Sequence, residues 1–517
     1  MVKDKRILWV DDEIDLLRSH IIFLEEKGYE VVGVSSGEAA IEALGGQRFD
    51  LLLLDETMPG KSGLETLQGI KEIDANLPVI MITKNEAENL MDQAIGMKID
   101  DYLLKPINPL QIYSAAKRLL DGHRIQEGAV SKDYLQAYRR IDGMISPSMG
   151  WKEWATVHHE LSAWDLEFDH FSETGLNQTH RDLRKKCNVD FARYIEECYI
   201  EWINGKERPV LSVNVFDHFA FPYIRSGRKM YFIVIDCMRY DQWLKIEDLL
   251  APYYNIERDY YYSILPTATP YARNALFSGL FPLEISERYP DYWLERSRDE
   301  LSKNRFEQEL LAEQLRRARL ENTSIKYIKI YETEEANEIR KQVDSYRSID
   351  LVAMVFNFLD ILAHGRSQSE ILQEIAPNES AFRSLMRSWF IHSALFDILQ
   401  KISRHEAVVI ITTDHGSILG KKASLVHGNR DTSTNLRYKF GENINGDQKQ
   451  TLLIKKPKMF KLPAESPSKN YIIAKENYYF VYPTRFHEYE RQYLGTFQHG
   501  GISLEEMIVP CITLKPK

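Results

Sequence analysis

The first 121 residues alternate between short apolar runs and amphipathic stretches. Apolar runs at 6–10, 30–34, 51–54, 78–83 and 101–104 are bounded by turn residues and have the length of buried strands. Between them lie stretches that each accommodate one helix. The first is predicted from Asp15 to Lys27, stopping at Gly28, a residue type that commonly closes a helix. Buried runs alternating with single helices predict an α/β fold, a doubly wound parallel sheet of five strands. From 122 to 205 the alternation stops. Aromatic and charged residues cluster there, strand-like runs are few, and the pattern predicts a small helical bundle. It is broken internally at Ser146-Pro147-Ser148 and Gly150 and ended by Asn204-Gly205. Residues 206–517 return to α/β character as a larger domain. Strands are predicted at 230–235, 351–359 and 407–413, a long amphipathic helix from Glu379 to Ile402, and exposed loops across the Lys-rich stretch from Asn443 to Lys469. The expected division is therefore 1–121, 122–205 and 206–517, with no internal repeat or low-complexity tract.

Composition narrows the class of partner. Hydrophobic residues are 44% and charged residues 27% of 517, the balance of a soluble globular protein of two to four domains. A formal net charge of −10 argues against broad, non-specific nucleic-acid binding, which needs clustered Lys and Arg. Cys187, Cys198, Cys237 and Cys511 form no C-x-x-C pair and read as buried small apolar residues of a reducing compartment. The charged N-terminal stretch is unlike a signal peptide, and the longest apolar runs fall far short of a membrane span, so a cytoplasmic location is expected.

In open α/β sheets, functional groups gather at the carboxyl ends of the strands. In the first segment those ends carry Asp11 and Asp12, Asp55, Thr83, and Lys105 followed by Pro106. Three carboxylates in one crevice repel one another unless a cation binds, and Mg²⁺ prefers such oxygen ligands. Lys105 is placed to pair with a phosphoryl oxygen on Asp55 as a point charge. The set Asp11-Asp12, the run from Asp55 to Gly63, Thr83 and Lys105-Pro106 resembles the receiver domain of response regulators. The resemblance implies that Asp55 accepts a phosphoryl group and that Asp11, Asp12, Asp55 and the backbone of Thr57 hold Mg²⁺. It also implies that Thr83 hydrogen-bonds the phosphoryl group and that Tyr102 is the aromatic that reports it.

In the third segment, Asp236, Asp360 and Asp414 close the predicted strands, and His415 and Gly416 follow Asp414 directly. His364 lies four residues after Asp360, and His499 lies in Gln498-His499-Gly500-Gly501. Mixed Asp and His ligands suit Zn²⁺ or Mn²⁺, and six are enough for two ions. Two such ions activate a nucleophile and stabilise a leaving oxygen in phosphoryl transfer. The hydroxyl candidates are Thr267 and Thr269, in a turn leading into a predicted helix whose N-terminus would present amides to an anion. Arg273 and Asn274 are candidates for contacting phosphate but read better as packing at that helix start, and His170, His180 and His405 as residues without a functional role. His427 is a candidate for lining the substrate site.

This ordered set resembles the alkaline phosphatase superfamily, closest to its nucleotide pyrophosphatase/phosphodiesterase branch. The resemblance places Thr269 at the nucleophile position. It assigns one zinc to Asp236, Asp414 and His415, bridged by Thr269, and the other to Asp360, His364 and His499. A threonine there is unlike the Cys or Ser of sulfatases, and the extra basic clamps of phosphoglycerate mutases are not recognisable.

Taken whole, the chain resembles PorX-type response regulators, the Bacteroidetes family with a PglZ effector domain. That resemblance implies a sensor histidine kinase, control of type IX secretion, and zinc-dependent phosphodiesterase activity on oligonucleotides, cyclic ones included; homodimerisation is expected because phosphorylation of Asp55 reshapes a receiver face of the kind that pairs symmetrically. The resemblance also implies work alongside a sigma factor. The alternative is a catalytically silent metal- or nucleotide-binding scaffold that docks to a transcription partner. A direct DNA-binding role is disfavoured by the acidic balance and the lack of a recognisable helix-turn-helix.

Overall fold

The computed structural model describes residues 5–84, 99–170, 175–205, 207–293, 304–365, 369–428, 433, 435–484 and 486–517, without the side chains of 121–129 and 370. The chain divides into two compact units, Met1–Leu135 and Gln136–Lys517.

The first unit is a five-stranded parallel sheet. Its strands are β1 (Lys5–Val10), β2 (Tyr29–Val34), β3 (Leu51–Asp55), β4 (Val79–Thr83) and β5 (Asp101–Leu104), in the order β2-β1-β3-β4-β5. The central strands β3 and β4 are buried along their whole length, as continuous apolar runs require when helices cover both faces. The expected Asp15–Lys27 helix is a 3₁₀ turn, Ile14–Leu17, followed by an α-helix, Arg18–Glu26, and Gly28 closes it at φ +100°. The helix Gly63–Ile73 starts at a capping box in which Ser62 and Glu65 satisfy each other's backbone N–H groups. The helix expected after β4 lies outside the described residues. A long helix, Pro109–Met144, follows β5. Ile112, Ala115 and Ala116 belong to the core of the first unit, whereas Ile141 belongs to a core of the second unit.

The second unit is built on a six-stranded mixed sheet. Its strands are β6 (Lys229–Ile235), β7 (Tyr254–Tyr262), β8 (Ile325–Ile330), β9 (Leu351–Phe356), β10 (Ala407–Thr412) and the C-terminal strand Ile508–Pro516. The order is β7, C-terminal strand, β10, β6, β9, β8. The C-terminal strand is antiparallel to both of its neighbours, and the other pairs are parallel. Register aligns the strand ends: Thr412 pairs with Val234, and Ile235 with Phe356. The middle helices, Trp151–Phe168 and Gly175–Asn204, are not a separate core. Trp154, Leu161, Phe191 and Tyr199 share one buried cluster with Tyr262, Ile264, Tyr271 and Met507.

Three expectations are corrected. The strand at 351–359 ends at Phe356, and the helix Phe358–Gly365 begins there, so Asp360 sits in a first helical turn and not at a strand end. The helix from Glu379 to Ile402 is two helices, Glu379–His392 and Ala394–Ile402. Ser393 between them is extended, and its hydroxyl accepts the Phe396 N–H at 3.3 Å, which restarts the helix. The stretch from Asn443 to Lys469 is not all loop. Thr451–Ile454 pairs with Lys469–Ala474, which also pairs with Tyr438–Glu442, and Leu462 is fully buried. Of the four cysteines, Cys187, Cys237 and Cys511 are buried and Cys198 is only half-buried.

That small sheet buries a lysine. Lys439 Nζ donates to the Ser433 carbonyl at 3.0 Å and lies 4.6 Å from the Tyr482 ring centroid, and among the described residues no carboxylate pairs with it. Burial pulls its ammonium down to about 7. Because the folded value lies below the unfolded one, folding expels a proton, and stability rises as pH climbs from about 7 towards 10.5. Lys439→Met is therefore expected to stabilise the protein at pH 6 by on the order of 2 kcal/mol, with the gain shrinking by pH 10. Urea unfolding at both pH values checks this, and a pH-independent difference would contradict it.

Candidate metal centres

In the first unit the strand ends deliver the expected cluster. Asp11, at the end of β1, and Asp55, at the end of β3, are buried, and Asp12 is exposed. The three carboxylates lie close enough for one ion. Lys105 Nζ reaches Asp55 at 2.7 Å and Asp11 at 2.9 Å. Burial and the neighbouring Asp11 charge push the Asp55 carboxyl up, against the pull of Lys105. The Thr57 N–H points to Asp55 Oδ1 at 3.4 Å. Thr83 Oγ1 and Thr57 Oγ1 both donate to Glu56, at 3.4 and 2.8 Å. Glu56, directly after Asp55, is a functional candidate that the strand-end pattern does not single out. Gly63 is required here, because an added Cβ would lie 2.5 Å from the Asp55 carbonyl oxygen. Tyr102 stands on β5, 39% exposed.

In the second unit six Asp and His side chains gather in two groups, Asp236 with Asp414 and His415, and Asp360 with His364 and His499. Asp236 follows β6 directly, and Asp414 and His415 follow β10 by two and three residues. His415 Nε2 is 3.7 Å from Asp236 Oδ1 and 3.6 Å from Asp414 Oδ2. His364 comes one helical turn after Asp360, which places both on one face. Its Nε2 and that of His499 lie 3.4 and 3.3 Å from Asp360 Oδ1. The His415 and His499 rings stack with centroids 4.2 Å apart, so the two groups adjoin. Thr269 Oγ1 lies 3.0 Å from His415 Nε2. His415 Nδ1 meets the Gly416 carbonyl at 3.1 Å, which fixes that nitrogen as the donor and turns the Nε2 lone pair into the site.

The donor set fits divalent cations. Among the described residues, Asp236 Oδ1 and both oxygens of Asp414 are buried without a hydrogen-bond partner, a costly state for carboxylates that a cation relieves. Burial and the Asp236 charge push the Asp414 carboxyl well above its ordinary range, and burial pulls the His415 imidazolium down. Backbone supports hold the ligands in place. Ser263 Oγ donates to the Asp414 carbonyl at 2.7 Å, and Thr413 Oγ1 to the His415 carbonyl at 2.7 Å. Cys237, next to Asp236, adopts φ +70°, a left-handed backbone rarely used by residues with a side chain.

Other candidates fall elsewhere. Thr267 donates to the Gly501 carbonyl at 2.7 Å and is structural. The helix Thr269–Ser278 offers few amides to an anion. Pro270 has no N–H, and the amides of Tyr271 and Ala272 both donate to the Ala268 carbonyl. Arg273 does more than pack: it donates from Nη1 to Asp236 at 2.5 Å and from Nε to Glu307 at 2.7 Å. Its position four residues after Thr269, one turn along the same face, was the available signal. Asn274 bonds the Pro270 carbonyl and Asn304. His427 is exposed on a separate cleft lined by Leu425, Asn445 and Phe486 that holds none of the six ligands. His170 is exposed, His180 bonds Asp165 at 2.9 Å, and His405 bonds Tyr231 and Asp344.

These sites define a response regulator with an alkaline phosphatase-like effector. Residues 7–117 match the response regulator receiver domain, 124–203 the PorX response regulator linker domain, and 215–514 the BREX system PglZ alkaline phosphatase-like domain. The last match spans more than half of the chain, which belongs to the PglZ alkaline phosphatase-like family, in the three-part arrangement of a PorX-type response regulator. Among curated proteins it is similar to the alkaline phosphatase synthesis transcriptional regulatory protein PhoP of Bacillus subtilis. Identity is 31% over 119 residues, 23% of this chain and 49% of that one. The transcriptional regulatory protein CpxR of Escherichia coli K12 is 32% identical over 142 residues, 27% of this chain and 60% of that one. The chain thus spans about half of these relatives. A CheY-like receiver domain protein from Methanospirillum hungatei aligns at 29% identity and a TM-score of 0.23, over 24% of this chain and 98% of that one. No described helix is long and apolar enough to cross a membrane.

Proposed function

We propose that this protein is a cytoplasmic response regulator phosphorylated on Asp55, whose effector is a zinc-dependent phosphodiesterase acting on linear or cyclic oligonucleotides. The observation that carries the reading is the pair of three-ligand Asp/His groups adjoining Thr269, with buried carboxylate oxygens left without protein donors. In the receiver, Asp11, Asp12, Asp55 and the Thr57 backbone hold Mg²⁺, and Thr83, Tyr102 and Lys105 respond to the phosphoryl group. In the effector, Asp236, Asp414 and His415 would hold one ion and Asp360, His364 and His499 the other. Two such ions polarise a phosphoryl oxygen and stabilise the entering and leaving oxygens. Thr269 Oγ gives up its proton to solvent and attacks phosphorus, the ester bond to the leaving oxygen breaks and that oxygen takes up a proton, and water then hydrolyses the resulting threonine phosphodiester to release the nucleotide and restore Thr269. A sensor histidine kinase supplies the phosphoryl group, and control of type IX secretion, with a sigma factor as partner, is the output consistent with PorX-type organisation.

The test is full-length protein loaded with zinc. The reading expects two ions per chain and turnover of a chromogenic phosphodiester and of short oligonucleotides. Two ions without turnover on any phosphodiester would replace it with a metal-holding docking protein. The receiver reading has its own check. Asp55→Ala is expected to stay at wild-type monomer mass in sedimentation under a small-molecule phosphodonor, whereas the wild type doubles in mass.

A further inference from the structure

We infer that Arg184 and Asn188, on the middle helix Gly175–Asn204, are positioning residues for the effector metal centre; the inference rests on the metal-centre reading above. Both lie outside the span that matches the PglZ domain, in the segment that matches the linker. Their target is the short helical turn Leu504–Met507, a few residues after His499. Arg184 Nη1 donates to the Glu505 carboxylate at 2.7 Å. Asn188 Nδ2 donates to the same carboxylate at 3.0 Å, and Asn188 Oδ1 accepts the Leu504 N–H at 2.8 Å. Arg184 also bonds Asp165 on the other middle helix, and Asp165 takes His180 at 2.9 Å. Glu505 is 4% exposed and Asn188 5%, so these bonds work away from water.

The gripped turn contacts Gly416 and Gly501, which follow His415 by one residue and His499 by two. A Cβ on Gly416 would lie 1.9 Å from the Glu505 carbonyl oxygen, so the backbones at Gly416 and Glu505 pack with no slack. The Gly416 N–H donates to the Glu506 carbonyl at 3.2 Å, and Gly416 follows His415. The Glu506 carboxylate accepts the Gly501 N–H at 2.8 Å, two residues after His499. The Ser503 hydroxyl and Arg437 fix that carboxylate in turn. A shift of the middle helix relative to the turn is therefore passed to a ligand of each group. Residues behind metal ligands set affinity because they fix ligand orientation, and their loss weakens binding by about 10–100-fold. The structure supplies that support to this effector from the helices that precede it.

The experiment uses full-length protein and zinc, with zinc affinity measured by competition against a chromophoric chelator, beside thermal unfolding and turnover. Arg184→Met and Asn188→Leu are expected to bind zinc at least tenfold more weakly. Glu505→Gln, which keeps shape and loses only charge, is the milder variant should these fold poorly, and it is expected to weaken zinc binding in the same direction. The control is Arg383→Met. Arg383 pairs with Asp169, just after the first middle helix, at 2.5 Å and with Asp241 at 2.8 Å, and it reaches Asp165 through the backbone carbonyl at 3.4 Å, without touching the turn. It is expected to lose thermal stability with zinc affinity unchanged. Unchanged zinc affinity in the three turn-directed variants overturns the proposal, as does an equal loss in Arg383→Met, which would make the effect general destabilisation. A wild-type protein that binds no divalent ion overturns the metal-centre reading along with it.

Discussion

Thr269→Ala is expected to keep its metal ions and to lose phosphodiester turnover by about a thousandfold or more. The substitution removes the hydroxyl beside His415 Nε2 and leaves all six ligand side chains in place. Thr267 cannot take over, because its hydroxyl is buried and bonded to the Gly501 carbonyl. Thr269→Ser keeps the oxygen and is expected to fall within roughly tenfold of wild type. The check is metal content per chain beside steady-state hydrolysis. An alanine variant with near wild-type turnover would assign the nucleophile elsewhere.

Arg273→Leu is expected to cost about 3–5 kcal/mol of stability, measured by urea unfolding in the presence of a chelator. The guanidinium is buried against Asp236, Glu307 and Asn357, and Tyr327 and Lys329 share Glu307. Removing it leaves two buried carboxylates, Asp236 and Glu307, without the guanidinium that pairs with both. Arg273→Lys restores a charge without the three-way fork and is expected to recover only part of the loss. Under the proposed metal-centre reading, zinc is expected to offset part of the deficit, because it would bind Asp236 in the folded state only. A loss below 1 kcal/mol for Arg273→Leu would mean that Asp236 and Glu307 are held by other means.

Much of the receiver was legible because its strands are continuous apolar runs and its chemistry follows directly at their ends. Asp11, Asp55, Thr83 and Lys105 are read off by counting from the strand. The effector's six clustered Asp and His side chains were legible as a set, but one for the wrong reason. Asp360 was expected at a strand end because VFNFL is apolar throughout, and periodicity cannot separate a buried strand from a buried helical turn in so short a run. The Ser393 break was hidden because both flanking helices keep one apolar phase, and the pairing of Thr451–Ile454 because four residues among lysines carry little signal. Arg273 was seen but not placed, and the Arg184–Glu505 pair was out of reach, since residues 321 apart in sequence meet only through the fold.

The shared core of the middle helices and the α/β sheet also fixes where this protein can be taken apart. Trp154, Phe191 and Tyr199 cover Tyr262 and Tyr271 from the far side of a family boundary. A graft that joins this effector to another input module must therefore cut ahead of residue 136, where the compact units divide. A cut near 206 would leave an aromatic face open to water and prone to self-association. The unit that evolution or an engineer can exchange is then larger than the catalytic family by two helices.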